Sequence, residues 1–101
     1  MCGINGIFAH GADAPPASLA ELRSTRDRMA ARGPDGAGEW VSDDGRVAFG
    51  HRRLSIIDLR AVADQPMASA DGALRVVFNG EIYNYRDLRE SLAQQGAVFR
   101  T

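Results

Sequence analysis

A mixed α+β fold is predicted by three features of this sequence: short apolar runs bounded by turn residues, two helical segments with recognisable caps, and their order along the chain, β, α, several β, α, β. No internal repeat, low-complexity stretch or linker interrupts that order, so the 101 residues read as one small domain or as a piece of a larger one. A chain of this length can bury ~60–65% of the surface its unfolded form exposes, which permits one modest core.

The apolar run Cys2 to Ala9 predicts a buried first strand, stopped by His10-Gly11 and by the loop Ala12 to Ala17 with its Pro15-Pro16 pair. Ser18 followed three residues later by Glu21 is a capping-box pattern. Leu19, Leu22, Met29 and Ala30 then give an apolar stripe, so a helix is expected to about Ala31, ended by Gly33-Pro34. Gly38 to Ser42 and Arg46 to Arg52 flank Asp43-Asp44-Gly45, where glycine accepts the positive φ of a tight turn, and a β-hairpin follows. Leu54 to Leu59 is β-branched and short enough for a further strand. Ala61 to Gly72, with Gln65-Pro66 inside it, reads as loop. Leu74 to Phe78 predicts a strand that runs into Asn79-Gly80. Asn84 is placed as the N-cap of a helix through Gln95, with Leu88 and Leu92 one turn apart and Gly96 as the stop. Ala97 to Thr101 begins another strand, one so short that it sits at an edge or awaits more chain.

Composition excludes several functions. The formal net charge is −1, from twelve basic and thirteen acidic residues, so no overall field draws in nucleic acid or an anionic membrane. One cysteine cannot form an internal disulfide. No basic-then-apolar leader is present and no run approaches ~18 apolar residues, so a reducing cytoplasm is the expected compartment. His10, His51 and Cys2 are too few and too scattered for a metal centre, and no Gly-x-x-x-x-Gly-Lys loop offers a phosphate site.

Chemistry concentrates at the start. Removal of Met1 would leave Cys2 as a free N-terminal residue carrying both a thiol and an α-amine, groups whose ordinary pKa values are ~8.5 and ~7.7–8.0, so the amine can take the thiol proton near neutral pH. Read alone, Cys2 is better taken as a small apolar residue opening a buried strand. Thiol attack on an amide also needs an oxyanion hole and a clamp for the substrate's ends. Asn79-Gly80-Glu81 could supply an amide donor, a backbone N–H and a carboxylate, although Asn-Gly is also the commonest turn signal. Arg53 could grip a carboxylate through two parallel N–H bonds, whereas its neighbour Arg52 points to the opposite strand face. His51 is better read as a packed or hydrogen-bonded histidine than as a base. Arg32-Gly33-Pro34-Asp35-Gly36 reads as a helix stop and turn with little chemistry in it.

Five blocks then line up in order and spacing: Met1-Cys2-Gly3-Ile4, Arg32-Gly33-Pro34-Asp35, Gly50-His51-Arg52-Arg53-Leu54-Ser55-Ile56-Ile57-Asp58-Leu59, Gln65-Pro66-Met67, and Asn79-Gly80-Glu81-Ile82-Tyr83-Asn84. Together they resemble the start of glutamine-hydrolysing asparagine synthetases. The resemblance implies a class II glutamine amidotransferase domain of the N-terminal nucleophile hydrolase type, an αββα sandwich of which this chain would be the first half. It implies Cys2 as nucleophile with its own amine as base, Asn79 and the N–H of Gly80 as oxyanion hole, Arg53 on the glutamine α-carboxylate and Glu81 on the α-amine. A γ-glutamyl thioester and ammonia would form, and water would release glutamate. It implies no cofactor in this chain, because ATP and Mg would serve only a synthetase domain that converts aspartate to asparagine and is absent here. Its implied partners are glutamine, the missing C-terminal glutaminase segment and that synthetase domain, with a homodimer in the full-length family.

Other class II amidotransferases typically read Arg-Gly-Tyr-Asp or Arg-Gly-Gln-Asp, and His-Thr-Arg, where this chain has Arg32-Gly33-Pro34-Asp35 and His51-Arg52-Arg53. That favours the asparagine-synthetase branch and leaves the acceptor of the ammonia open. The chain also stops before the Ser-Asp-x-Glu block that follows in the family. A second reading is therefore a non-catalytic fragment that pairs with another chain through open strand edges.

Overall fold

The computed structural model describes residues 1–101. Strand β1 (Gly3–Phe8) is followed by helix α1 (Leu19–Asp27) and by the hairpin β2 (Gly36–Val41) and β3 (Val47–Arg53). A short 3-10 turn (Ala61–Ala63), the two-residue strands β4 (Met67–Ala68) and β5 (Arg75–Val76), and helix α2 (Tyr85–Gln94) complete the chain. β1, β3 and β2 form an antiparallel sheet with β3 in the centre, and β4 and β5 form a separate antiparallel ribbon. No helix is long and apolar enough to cross a membrane.

Local chemistry explains the first elements. The Ser18 side chain accepts the Glu21 N–H at 3.2 Å and starts α1. Gly45 at φ +70° closes the hairpin, with the Ser42 hydroxyl accepting the N–H groups of Arg46 and Val47. α1 is shorter than its apolar stripe predicts: after Asp27 the bonds tighten to Met29 N–H on Arg26 and Ala30 N–H on Asp27, and these turns carry the chain to Gly33.

The two sheet faces differ, and the difference places the site. One face meets α1, where Leu22 is fully buried, a burial that contributes roughly 1.5–3 kcal/mol. Here the missing side chains of Gly3 and Gly50 matter. A Cβ at Gly3 would lie 2.8 Å from the Met29 sulfur, and one at Gly50 would lie 2.1 Å from Oδ1 of Asn5. Asn5 in turn donates to the Leu22 carbonyl at 3.0 Å and to Thr25 at 2.7 Å, fastening β1 to the helix. The opposite face carries Ile4, Phe8, Trp40, Phe49, His51 and Arg53, by strand alternation and register. At its open end that face carries the cleft described below.

Beyond the shortened α1, four segments depart from the sequence reading. Leu54 to Leu59 is not a strand; it bends round the Arg53 guanidinium, to which it gives the Asp58 carbonyl. The loop expected over Ala61 to Gly72 contains the 3-10 turn and β4, which pairs with β5 through Met67–Val76 and Ala68–Arg75 only, so the strand expected over Leu74 to Phe78 shrinks to two residues. Ala97 to Thr101 forms no strand: the Arg100 guanidinium reaches the Ala68 carbonyl of β4, but no backbone ladder joins the segment to either sheet. Asn84 does sit at the α2 N-cap position, but its side chain makes no capping bond.

Candidate active site

β1 pairs with β3 so that Gly3 faces Arg52, and one step beyond the ladder Cys2 falls opposite Arg53. Hydrogen bonds tighten that end. The Leu54 N–H donates to the Cys2 sulfur at 3.3 Å, and the thiol reaches the Leu54 carbonyl at 3.7 Å. Arg32 Nε donates to the Cys2 carbonyl at 3.2 Å. The half-buried thiol is thus held against the peptide that leads out of Arg53.

The Arg32-Gly33-Pro34-Asp35 block therefore has more content than a helix stop. Gly33 carries a close approach that no other residue permits, because a Cβ there would sit 2.3 Å from the carbonyl carbon of Arg52. The Gly33 carbonyl accepts from Arg52 Nε at 2.9 Å, the Asp35 N–H donates to the Arg53 carbonyl at 2.9 Å, and Asp35 Oδ2 accepts the Ser55 N–H at 2.8 Å. The block binds the end of β3 on both sides of Arg53. Arg52 turns to Gly33 and Asp27 while Arg53 turns to the opposite face, as strand alternation requires.

One cleft of about 430 Å³ gathers Cys2, Arg53, Asn79, Gly80 and Glu81. That volume lies within the roughly 300–1,000 Å³ of small-ligand sites. All five residues expected to share a site from the sequence thus line one wall-to-wall space, although 77 positions separate the thiol from Asn79. Asn79 is half-buried and Glu81 is exposed at the rim. His51 and Gln65 also line the cleft. Gln65 Oε1 accepts the Phe78 N–H at 2.6 Å and fixes the approach to Asn79. The Gln65 carbonyl lies where a Cβ of Gly38 would be, at 1.8 Å, so this loop rests directly on β2.

His51 is buried, and its Nε2 has no partner. Burial holds its pKa below the ordinary histidine value, and the nearby Arg53 charge acts in the same direction, so near neutral pH the ring is uncharged packing. Arg53 itself is almost buried, and its guanidinium is wrapped by its own loop: Nη1 meets Asp64 at 2.6 Å and the Arg60 carbonyl at 3.0 Å, and Nη2 meets the Asp58 carbonyl. The Asp58 carboxylate is engaged elsewhere, on Arg60, whose hydrogen bonds hold it well below the usual carboxylate range.

The sequence reading named none of Leu54, Arg32 or Asp64 as functional. Arg32 carried a signal in its Arg-Gly-Pro-Asp block. Leu54 acts through its backbone, which no side-chain pattern reveals, and Asp64 lies eleven residues from Arg53 with no periodicity to link them. No group of three or more His, Cys, Asp or Glu side chains could hold a metal ion.

The family model described as "Glutamine amidotransferase domain" matches residues 1–101. This chain belongs to that family. The amidotransferase domain is 43% identical over its whole length to asparagine synthetase [glutamine-hydrolyzing] 1 of Bacillus subtilis, covering 16% of that protein. It is 43% identical, again over its whole length, to a putative asparagine synthetase [glutamine-hydrolyzing] of Mycobacterium bovis, covering 17% of it. It is 39% identical to Amidase chry2 of Gibberella zeae over 94% of the chain and 15% of that protein. The amidotransferase domain thus spans about one-sixth of the length of these curated relatives. No solved structure matches it significantly.

Proposed function

We propose that this chain is the glutamine-hydrolysing part of an asparagine-synthetase-type enzyme, with Cys2 as its nucleophile. The observation that carries the reading is the single cleft shared by Cys2, Arg53, Asn79, Gly80 and Glu81. Removal of Met1, which is exposed at the cleft mouth, frees the Cys2 amine to act as base. The thiol proton passes to that amine, the sulfur attacks the side-chain amide carbon of glutamine, and the oxyanion is met by the Asn79 amide and the Gly80 N–H. Collapse breaks the C–N bond, the proton leaves with nitrogen as ammonia, and a γ-glutamyl thioester remains. Water then cleaves the thioester, giving glutamate and the free thiol. Arg53 takes the α-carboxylate and Glu81 the α-ammonium, which fixes the amide over the sulfur.

The proposal extends to the N-terminal nucleophile hydrolase architecture and to a reducing cytoplasm, where a lone thiol stays free. Delivery of ammonia to an acceptor is assigned to polypeptide outside these residues. In this reading ATP and Mg belong with that outside polypeptide, and the residues here carry the hydrolysis of glutamine.

Intact mass before and after exposure to a diazo-ketone analogue of glutamine tests the reading. The expected result is loss of Met1, one adduct on Cys2, protection by excess glutamine, and no adduct in Cys2→Ala. An adduct that persists in Cys2→Ala, or a correctly processed thiol that does not react, overturns it for this chain.

A further inference from the structure

A buried guanidinium needs partners, and Arg53 finds all of them in its own loop. Two are neutral backbone carbonyls, those of Arg60 and Asp58. The third, Asp64, carries a charge. Arg53 is 11% exposed while the Asp64 side chain is 55% exposed, so one partner of the pair is walled in and the other is half in water. Asp64 is tied down only through its backbone N–H, which donates to the Ala61 carbonyl at 3.0 Å and closes the 3-10 turn. Three of the five N–H donors of an arginine are thereby used, and Asp64 is the one charged acceptor among their partners.

We propose that Asp64 is a self-supplied carboxylate: it neutralises Arg53 and competes with the substrate's α-carboxylate for it. This inference rests on the amidotransferase reading, in which Arg53 receives that carboxylate. A second carboxylate arriving at the guanidinium meets Asp64 as a like charge at short range. Asp64 swings into the solvent that already surrounds half of it, while Arg53, held by the two carbonyls, stays in place. Asp64 acts through Arg53 and is a tuning residue for substrate affinity, without contact to the reacting amide.

Asp64→Asn keeps the shape and the accepting oxygen and removes the charge, and Asp64→Glu is the conservative control. The rate of Cys2 labelling by the diazo-ketone analogue, followed against probe concentration, separates binding from the maximal rate. Asp64→Asn is expected to bind the probe about two- to fivefold more tightly at an unchanged maximal rate, the range for one partly exposed ion pair. Asp64→Glu stays at the wild-type value, and a probe whose α-carboxylate is replaced by an amide gains nothing from Asp64→Asn. Equal or weaker binding of the carboxylate probe by Asp64→Asn, or the same gain with the amide probe, overturns the proposal. Binding of L-glutamate followed by NMR reads the contact without thiol chemistry. Absence of labelling in the wild type defeats the amidotransferase reading; tighter glutamate binding by Asp64→Asn still upholds competition at Arg53, and equal or weaker binding defeats it.

Discussion

Between Gly3 and Arg53 the chain makes two ladders of six residue pairs each, whereas between Leu54 and Thr101 its one ladder has two pairs. All eight buried residues lie in the first stretch. Thirteen of the sixteen exposed large apolar side chains lie in the second, from Ile56 to Phe99. The cleft draws on both: Cys2 and Arg53 come from the well-held stretch, and Asn79, Gly80 and Glu81 come from the loosely held one. Cys2 and Arg53 are therefore set by a hydrogen-bonded sheet, while Asn79 and Gly80 depend on a few tethers such as the Gln65 bond to Phe78. Sites of opening and closing are ordinarily drawn from the less stable parts of a fold.

The most severe way to break this contrast is to strike the well-held stretch at its tightest point. Gly33→Ala puts a Cβ 2.3 Å from the Arg52 backbone, where both partners are main chain and neither can give way, and is expected to cost roughly 3 kcal/mol or more. Gly38→Ala has an even closer approach, 1.8 Å from the Gln65 carbonyl, yet the segment it meets belongs to the stretch whose one ladder has two pairs. It is expected to cost less stability than Gly33→Ala and to lower Cys2 labelling instead. Thermal melts alongside labelling of both variants check the pair; an equal loss of stability in the two would erase the distinction between the stretches.

Acid provides a milder probe, because the groups with lowered pKa values packed on the sheet all act with one sign. His51 has its pKa lowered by burial, so the unfolded chain takes up a proton first and stability falls as the pH drops through about 6.5. Glu39, lowered mainly by its hydrogen bond from Arg23, and Asp27, lowered mainly by Arg26, contribute stability above the ordinary carboxylate range and lose it as pH falls through about 4 and below. Melting temperature measured against pH should stay level above neutrality and fall in two stages. In His51→Gln the first stage should vanish.

The smallest effect is expected on α2. Leu88 and Leu92 are each 44% exposed, and no residue of that helix is buried. Replacing both with Gln should change the stability of this chain by no more than about 0.5 kcal/mol in denaturant titration, the range for surface positions. A loss of several kcal/mol would show that α2 packs against the rest of the chain and would sharpen the boundary between the stretches.

Much of the first stretch was legible because its signals are local. Ser18 caps its own helix and Asp43-Asp44-Gly45 turns its own hairpin, so each element carries its cause within a few residues. The second stretch misled for the same reason. Leu54 to Leu59 has the β-branched composition of a strand, but a buried charge at Arg53 takes the Asp58 carbonyl, and satisfying a guanidinium outweighs a weak β propensity. The site residues were named from their chemical types and from the resemblance of their blocks to a family; no local pattern places Cys2 beside Arg53 or both beside Asn79.

By itself, then, the sequence determined which groups are available: one thiol directly after Met1, an Asn-Gly-Glu triplet, an arginine at a strand end, the Ser18 cap and the Asp43-Asp44-Gly45 turn. Only the tertiary structure decided what those groups face. Strand register set Cys2 opposite Arg53, the missing side chains of Gly33 and Gly38 let main chains meet at the cleft, and Asp64 was brought to a guanidinium eleven residues away. The physical reason is range: capping and turn chemistry act over three or four residues, whereas pairing of a buried charge and close packing of backbones depend on which distant segments the fold brings together.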